Sequence, residues 1–214
     1  STVQILIDDQ KIEATHTTPD ALQLQARLAQ MRDAGCAYVF MEVSSHAAHQ
    51  KRIAGIDFRG AVFTNLTHDH LDYHGTFANY RDAKKLFFDG LSSQAFALVN
   101  LDDKNGRIMV QNTAAEKYGY GLQNMAEYRA RLLEQTKEGM QLELGGQLVY
   151  LPFVGKFNAY NLLAAFAVAD LLGQDQQEVL TAISGLTPPE GRLQQMLSPN
   201  GVMGVVDYAH TPDA

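Results

Sequence analysis

The densest chemistry in the chain lies in Thr67-His68-Asp69-His70-Leu71-Asp72-Tyr73-His74, where three imidazoles and two carboxylates fall within seven positions. Imidazole nitrogens and carboxylate oxygens are ordinary ligands of divalent metals, so ligation is the direct chemical reading of the group. Any one of these histidines taken alone is better explained as a polar loop residue capping a strand or helix end. Glu42 is the second feature, a carboxylate between Met41 and Val43 in an otherwise apolar run. Burying it costs several kcal/mol unless a proton, a cationic side chain or a metal neutralises it, and a magnesium ion is favoured here over a structural salt bridge. Lys84 is the third. Residues four apart share a helix face, so Tyr80, Lys84 and Phe88 form one row and Arg81, Lys85 and Asp89 its neighbour. Lys85 is therefore expected in solvent and Lys84 among aromatic rings, where desolvation favours the free amine. A snorkelling stem explains Lys84 as well. A free amine also reacts with carbon dioxide to give a carbamate, an anionic oxygen ligand, which the spacing permits without demanding.

Weaker signals surround these. Ser44, Ser45 and His46 invite a nucleophile-and-base reading, but no glycine-flanked elbow supports a serine hydrolase. His68-x-His70-x-Asp72 is similar to the zinc motif of metallo-β-lactamase folds, although Tyr73 intervenes before His74, so a binuclear zinc hydrolase using His68, His70, Asp72 and His74 is the alternative function. Asn158 and Asn161 begin a helix and either cap it or present amides to a purine. Arg192 after Gly191 binds phosphate or pairs on the surface. Gly155-Lys156 is followed by Phe157, so the residues that complete a phosphate-binding loop are missing.

These residues need a scaffold. Thr18-Pro19-Asp20 reads as helix cap and first turn, with Leu22, Leu24, Leu28 and Met31 continuing to Gly35. Ala37–Met41, Ala61–Asn65 and Ala95–Asn100 are short apolar runs ending in polar residues, the pattern of parallel strands covered on both faces. A helix capped by Thr76 runs towards Gly90 between the second and third, implying a right-handed crossover. From Glu127 to Leu151 the alternation, with turns at Lys137-Glu138-Gly139 and Gly145-Gly146, predicts a small antiparallel meander appended to the main sheet. Helices Phe157–Leu172 and Asp175–Ser184 follow, then a turn at Pro188–Gly191 and a strand Val202–Asp207. The expected class is α/β, a mostly parallel sheet flanked by helices, with ligands bound beyond the strands' carboxyl ends.

Composition limits the partners. Of 214 residues, 46% are apolar and 19% charged, which excludes general disorder. The net charge of −7 offers no chain-wide basic field for nucleic acid. The apolar runs are too short to span a bilayer, and the single cysteine, Cys36, has no internal partner. A cytoplasmic setting fits best. The strand-like Val3–Ile7 opens the chain abruptly, as expected of a piece of something larger.

Several motifs in order, His16-Thr17-Thr18-Pro19-Asp20, Met41-Glu42-Val43-Ser44-Ser45-His46, Thr64-Asn65-Leu66-Thr67-His68-Asp69-His70-Leu71-Asp72-Tyr73-His74-Gly75, Asp82-Ala83-Lys84, Gly155–Asn161, Gly191-Arg192 and Asp207–Asp213, resemble the central domain of the Mur ligases. Within that family they are most similar to the branch that adds the third amino acid of the peptidoglycan precursor. The resemblance implies an ATP-dependent ligase that phosphorylates the carboxylate of UDP-N-acetylmuramoyl-L-alanyl-D-glutamate, the acyl phosphate then being attacked by the amine of meso-diaminopimelate or L-lysine. It implies two magnesium ions, held by Glu42, by His70 and by Lys84 as its carbamate. Thr17, Thr18, Ser44, Gln50 and Arg52 match positions for the UDP-sugar peptide. Asn65, Asn158, Asn161, Arg192, Asp207 and His210 match nucleotide and hinge positions. Residues 1–206 would be the central ATP-binding domain without its phosphate-loop segment, and residues 207–214 a hinge to an amino-acid-binding domain. A monomer is expected, and no turnover from this piece alone.

Overall fold

The structure, a computed structural model, describes residues 4–14, 16–198, 200 and 202–209. The chain opens with an antiparallel hairpin, β1 (Gln4–Ile7) and β2 (Gln10–Glu13), that stands apart from the main sheet. Helix α1 (Ala21–Asp33) follows, and its cap is Asp20, whose carboxylate accepts from the Leu22 and Gln23 amides. The expected cap, Thr18, is two residues early and fully buried elsewhere.

Ala37–Met41 is not a strand. No described strand pairs with it, and Val39 and Phe40 remain 42% and 74% exposed. The apolarity was legible, but a buried parallel strand needs a neighbour on its hydrogen-bonding edge. Here a cavity of about 1080 Å³ separates the segment from β3 (Gly60–Phe63). Before that strand comes α2 (Ser45–His49), capped by Ser44, which accepts from the Ala47 amide.

Strand β3 begins the six-stranded main sheet. The one-turn helix α3 (Leu71–His74) and α4 (Phe77–Asp89) lead to β4 (Phe96–Asn100), which is buried throughout and parallel to β3. The Thr76 cap of α4 accepts from the Asn79 amide, as its sequence predicts. Gly60 lies under the Phe96 ring, where a Cβ would come within 2.2 Å of it, so any side chain at this first register pair of β3 and β4 would have to displace that ring. Helix α5 (Gly106–Met109) then leads to β5 (Glu116–Gly121), parallel to β4. Neither α5 nor β5 follows from the sequence pattern: α5 is a single turn, and in β5 Tyr118 and Tyr120 alternate with Gly119 and Gly121, residues that weaken a strand signal.

The meander is present as β6 (Tyr128–Gln135), β7 (Met140–Leu144) and β8 (Gln147–Leu151). It is appended to the main sheet as its pattern predicts, β6 pairing in parallel with β5. The order β3-β4-β5-β6-β7-β8 is thus parallel through its first four strands. Helices α6 (Lys156–Leu171) and α7 (Gln176–Ser184) cover the meander half, with Leu162, Leu163, Phe166, Leu180 and Ile183 buried against Leu98, Leu142, Leu144 and Leu151. The expected strand near Val202 pairs with the unexpected β9 (Gln194–Leu197) as β10 (Met203–Val206), a second separate hairpin. Residues 210–214, including His210 and most of the expected hinge, lie outside the described residues.

Candidate active site

The carboxyl ends of β3 and β4 are laced together by side chains that accept backbone N–H groups. Asn100, the last residue of β4, donates from Nδ2 to the Thr64 carbonyl at 2.9 Å and accepts the Asp102 amide through Oδ1. Asp103 accepts the Leu66 amide at 2.9 Å and the Asn105 amide at 2.7 Å. These bonds fix the start of the loop that delivers His68–His74, satisfying backbone groups that leave the sheet with no ladder partner.

A second lacing joins the segment after Met41 to the chain before α1. The Thr18 hydroxyl donates to the Glu42 carbonyl at 2.8 Å and accepts the Ser44 amide at 3.1 Å. Arg52 donates to the Thr18 carbonyl through Nη1 and to Gln50 Oε1 through Nε and Nη2, while Gln50 donates to the Tyr73 hydroxyl. Thr18, Ser44, Gln50 and Arg52 therefore form one hydrogen-bonded chain, reaching the histidine loop through Tyr73.

The histidines pack as a cluster. The His46 ring meets His70 edge-on at 5.0 Å, Tyr73 at 4.1 Å and His74 at 5.4 Å. His74 is buried and shares a hydrogen bond with Ser45, Nε2 to Oγ, at 3.0 Å. Burial, reinforced by neighbouring imidazoles, holds both His46 and His74 below the ordinary histidine value. His70 precedes α3 with φ of 54°, a left-handed conformation, and its amide is held by the Asp69 carboxylate at 2.8 Å. The other Asp69 oxygen lies 3.5 Å from His70 Nε2. Lys84 places Nζ over the Tyr80 ring, 5.2 Å from its centroid. Burial lowers the Lys84 pKa, opposed by the carboxylates of Glu42 and Asp69. Burial pushes the Tyr80 phenol up to about 12, with Asp69 adding to the effect.

Glu42, His70 and Lys84, drawn from three separate segments, all line the large cavity beside β3, together with Thr17, Ser44 and Asn65. Two side chains differ from expectation. Glu42 is exposed, because the strand that would have buried it is not formed, so the argument from a buried carboxylate does not hold. Lys85 is buried and paired with Asp89, one turn on, while Lys84 is half-buried over its ring. Both lysines are withdrawn from water, one by an ion pair and one by aromatic surface.

The remaining site residues fall elsewhere. Asn158 is buried and donates to the Val154 carbonyl at 2.8 Å, and Asn161 donates weakly to Asn158 Oδ1. Neither caps α6, whose N-terminal boundary is Gly155 at φ of 91°. Arg192 stacks its guanidinium 5.2 Å over the Tyr208 ring, and Asp207 accepts the Leu193 amide at 3.4 Å. Asn158, Asn161, Arg192 and Asp207 lie outside the cavity lining. His68 packs on Phe77, away from His74, and among the described residues no three His, Cys, Asp or Glu side chains are grouped to hold an ion in common. The zinc alternative therefore finds no assembled donor set.

Asp102, among the polar residues that end the buried run Ala95–Asn100, has a structural role that its sequence position does not specify. Its carboxylate accepts the amides of Leu122, Gln123 and Asn124, the Asn124 side-chain amide and the Tyr160 hydroxyl, all within 2.9 Å. Burial alone would raise its pKa, but these donors outweigh it and hold the group below the ordinary carboxylate value. Its sole sequence signal was its place at the end of a buried strand.

The family model of the Mur ligase middle domain matches residues 1–169. The chain is 52% identical over its whole length to a UDP-N-acetylmuramoyl-L-alanyl-D-glutamate--2,6-diaminopimelate ligase of Cytophaga hutchinsonii and 54% identical to one of Bacteroides thetaiotaomicron, spanning 44% of each. A solved structure of an enzyme of the same name superimposes with a TM-score of 0.78 at 35% identity, over 94% of this chain and 43% of that one. A MurF ligase from Thermotoga maritima in complex with ADP, 21% identical, shares the fold with a TM-score of 0.65 over 92% of this chain and 47% of that one.

Proposed function

This chain belongs to the Mur ligase middle-domain family, and we propose that it is the central domain of an ATP-dependent ligase joining 2,6-diaminopimelate to UDP-N-acetylmuramoyl-L-alanyl-D-glutamate. The observation that carries this reading is the convergence of Glu42, His70 and Lys84 on one cavity at the sheet's edge. Both curated relatives bear that ligase name along the full chain, which favours diaminopimelate over L-lysine. The chain spans 44% of each, so turnover is assigned to the complete polypeptide. Residues 1–206 are assigned to the central domain and 207–214 to the passage towards a further one.

In this proposal ATP phosphorylates the free carboxylate of the precursor, and the amine of the incoming amino acid displaces phosphate from the acyl phosphate. Two magnesium ions, when bound, neutralise the crowded phosphate and carboxylate oxygens. The residues present fit them: Glu42 offers a carboxylate, His70 an imidazole steadied by Asp69, and Lys84 an amine whose desolvation favours the neutral form that takes up carbon dioxide. Thr17, Thr18, Ser44, Gln50 and Arg52 would hold the UDP-sugar peptide, and the hydrogen-bonded chain of the last four supplies a prearranged surface. Asn65, Asn158, Asn161, Arg192, Asp207 and His210 would contact the nucleotide. The enzyme would act as a monomer in the cytoplasm. Among the described residues no helix is long and apolar enough to cross a membrane.

The test is ADP release by the complete polypeptide in the presence of ATP, magnesium and the muramoyl dipeptide, with diaminopimelate or L-lysine as acceptor. ADP formation and a new amide that depend on diaminopimelate are expected. No ATP turnover, or hydrolysis supported by zinc without ATP, would overturn the reading.

A further inference from the structure

The three proposed metal-holding side chains stand on three segments with no secondary structure in common: Glu42 in an unpaired stretch before α2, His70 before α3, and Lys84 two turns into α4. Their mutual placement is therefore not set by one helix or by a strand ladder. His74 reaches the neighbourhood of all three, two through its ring and one through its backbone. Its Nε2 shares a 3.0 Å hydrogen bond with Ser45, three residues after Glu42. Its amide donates to the His70 carbonyl at 3.0 Å. Its ring lies 5.4 Å from the Tyr80 ring at 35°, and the Lys84 Nζ stands over that same Tyr80 ring. Its carbonyl also accepts from Asn79 Nδ2, at the start of α4.

We propose that His74 is a positioning residue of the ligase reaction: its imidazole ties Ser45, beside the Glu42 segment, to Tyr80, under Lys84, while its backbone anchors the turn that begins at His70, so that the ring sets the spacing of Glu42 and Lys84 about that turn. This rests on the function proposed above. The ring is suited to the task because it is buried, at 8% exposure, and uses one edge for Ser45 while its face meets Tyr80, so it cannot rotate without breaking a contact to α2 or to α4. Ser45 is itself 1% exposed, so losing His74 leaves its hydroxyl without water to replace the bond. Asn79 contributes a second tether at the backbone of the same residue.

The experiment compares wild type, His74→Ala, His74→Asn, Ser45→Ala and the His74→Ala/Ser45→Ala pair in the complete polypeptide. Three quantities are read: kcat, the magnesium concentration giving half-maximal rate, and the 13C carbamate resonance of Lys84 in 13C-bicarbonate with magnesium. Positioning predicts that His74→Ala raises the half-saturating magnesium about 10- to 100-fold, the range for losing a residue that orients metal ligands. It also predicts a weaker carbamate resonance, a smaller effect from His74→Asn, and a pair no worse than His74→Ala. If His74→Ala does not fold, Ser45→Ala alone must raise the magnesium requirement. Folded variants with a wild-type magnesium requirement and carbamate signal would overturn the proposal while leaving the ligase reading intact. A wild type that forms no amide would overturn the ligase reading instead.

Discussion

The two halves of the main sheet are built to different ends. On the meander side, β6, β7 and β8 with α6 and α7 enclose a core in which Leu142, Leu144, Leu151, Leu163 and Ala167 are wholly removed from water. On the other side, β3 and β4 pack α4 and α5 around Phe63, Phe88, Leu91 and Met109, and this smaller core borders the open cavity where Glu42, His70 and Lys84 meet. The first half is closed by apolar interdigitation and the second by hydrogen bonds that Thr18 and Asn100 donate and accept and that Asp103 accepts. Stability and chemistry are thereby separated along one continuous sheet, and substitutions should sort accordingly.

The largest effect on activity belongs to the open half. Lys84→Ala is expected to lower turnover of the complete ligase by at least about 100-fold, on the scale for dismantling a metal's ligand environment. Its melting temperature should stay close to wild type, since Nζ rests on a ring and not in an ion pair. Steady-state ADP release and a thermal melt together check this. The largest effect on stability belongs to the closed half. Leu142→Ala or Leu163→Ala should each cost about 2–5 kcal/mol in chemical denaturation, while Val62→Ala, at the exposed edge of β3, should cost well under half as much.

Between these lies Thr18→Val, which keeps the shape and removes two hydrogen bonds. A cost of about 1–3 kcal/mol is expected for leaving the half-buried Ser44 amide unsatisfied, along with a higher KM for the muramoyl dipeptide. Asp102→Asn brings a pH signature. The folded-state pKa of Asp102 is depressed, so the stability it adds is fully present above the ordinary aspartate value, roughly 3.9, and is lost as pH falls through the lower folded value. The wild-type advantage over Asp102→Asn should hold at neutral pH and narrow below about pH 4, as urea titrations at several pH values would show. The smallest effect is expected from Arg131→Ala, which breaks an exposed cross-strand pair with Glu143 and should change stability by less than about 1 kcal/mol.

The closed half was the more legible in sequence. Alternation and glycine turns revealed the meander because these signals are local, and in the open half the Thr76 cap was legible for the same reason. That the meander adjoins the main sheet was legible, but the strand it joins, β5, was not, and only two register pairs make that join. In the open half, residue types marked Glu42, His70 and Lys84, yet their surroundings were misjudged wherever a distant partner decides them. Lys85 reads as a surface lysine until Asp89 and the packing of α4 enclose it. Ala37–Met41 reads as a strand because its composition reports apolarity, not the presence of a neighbour. Thr18 reads as a cap because hydroxyl chemistry is the same whether it serves its own helix or a segment 24 residues away.

The left-handed backbone at His70 narrows what can stand there. Residues other than glycine enter that region reluctantly, with asparagine, aspartate and histidine the most tolerant. Of these, histidine alone brings an imidazole. A scan of replacements at this position would therefore report conformational aptitude mixed with ligand chemistry: alanine removes the ring but keeps the torsional strain, whereas glycine removes both. The difference between those two variants would measure how much of the loop's shape is enforced by its neighbours.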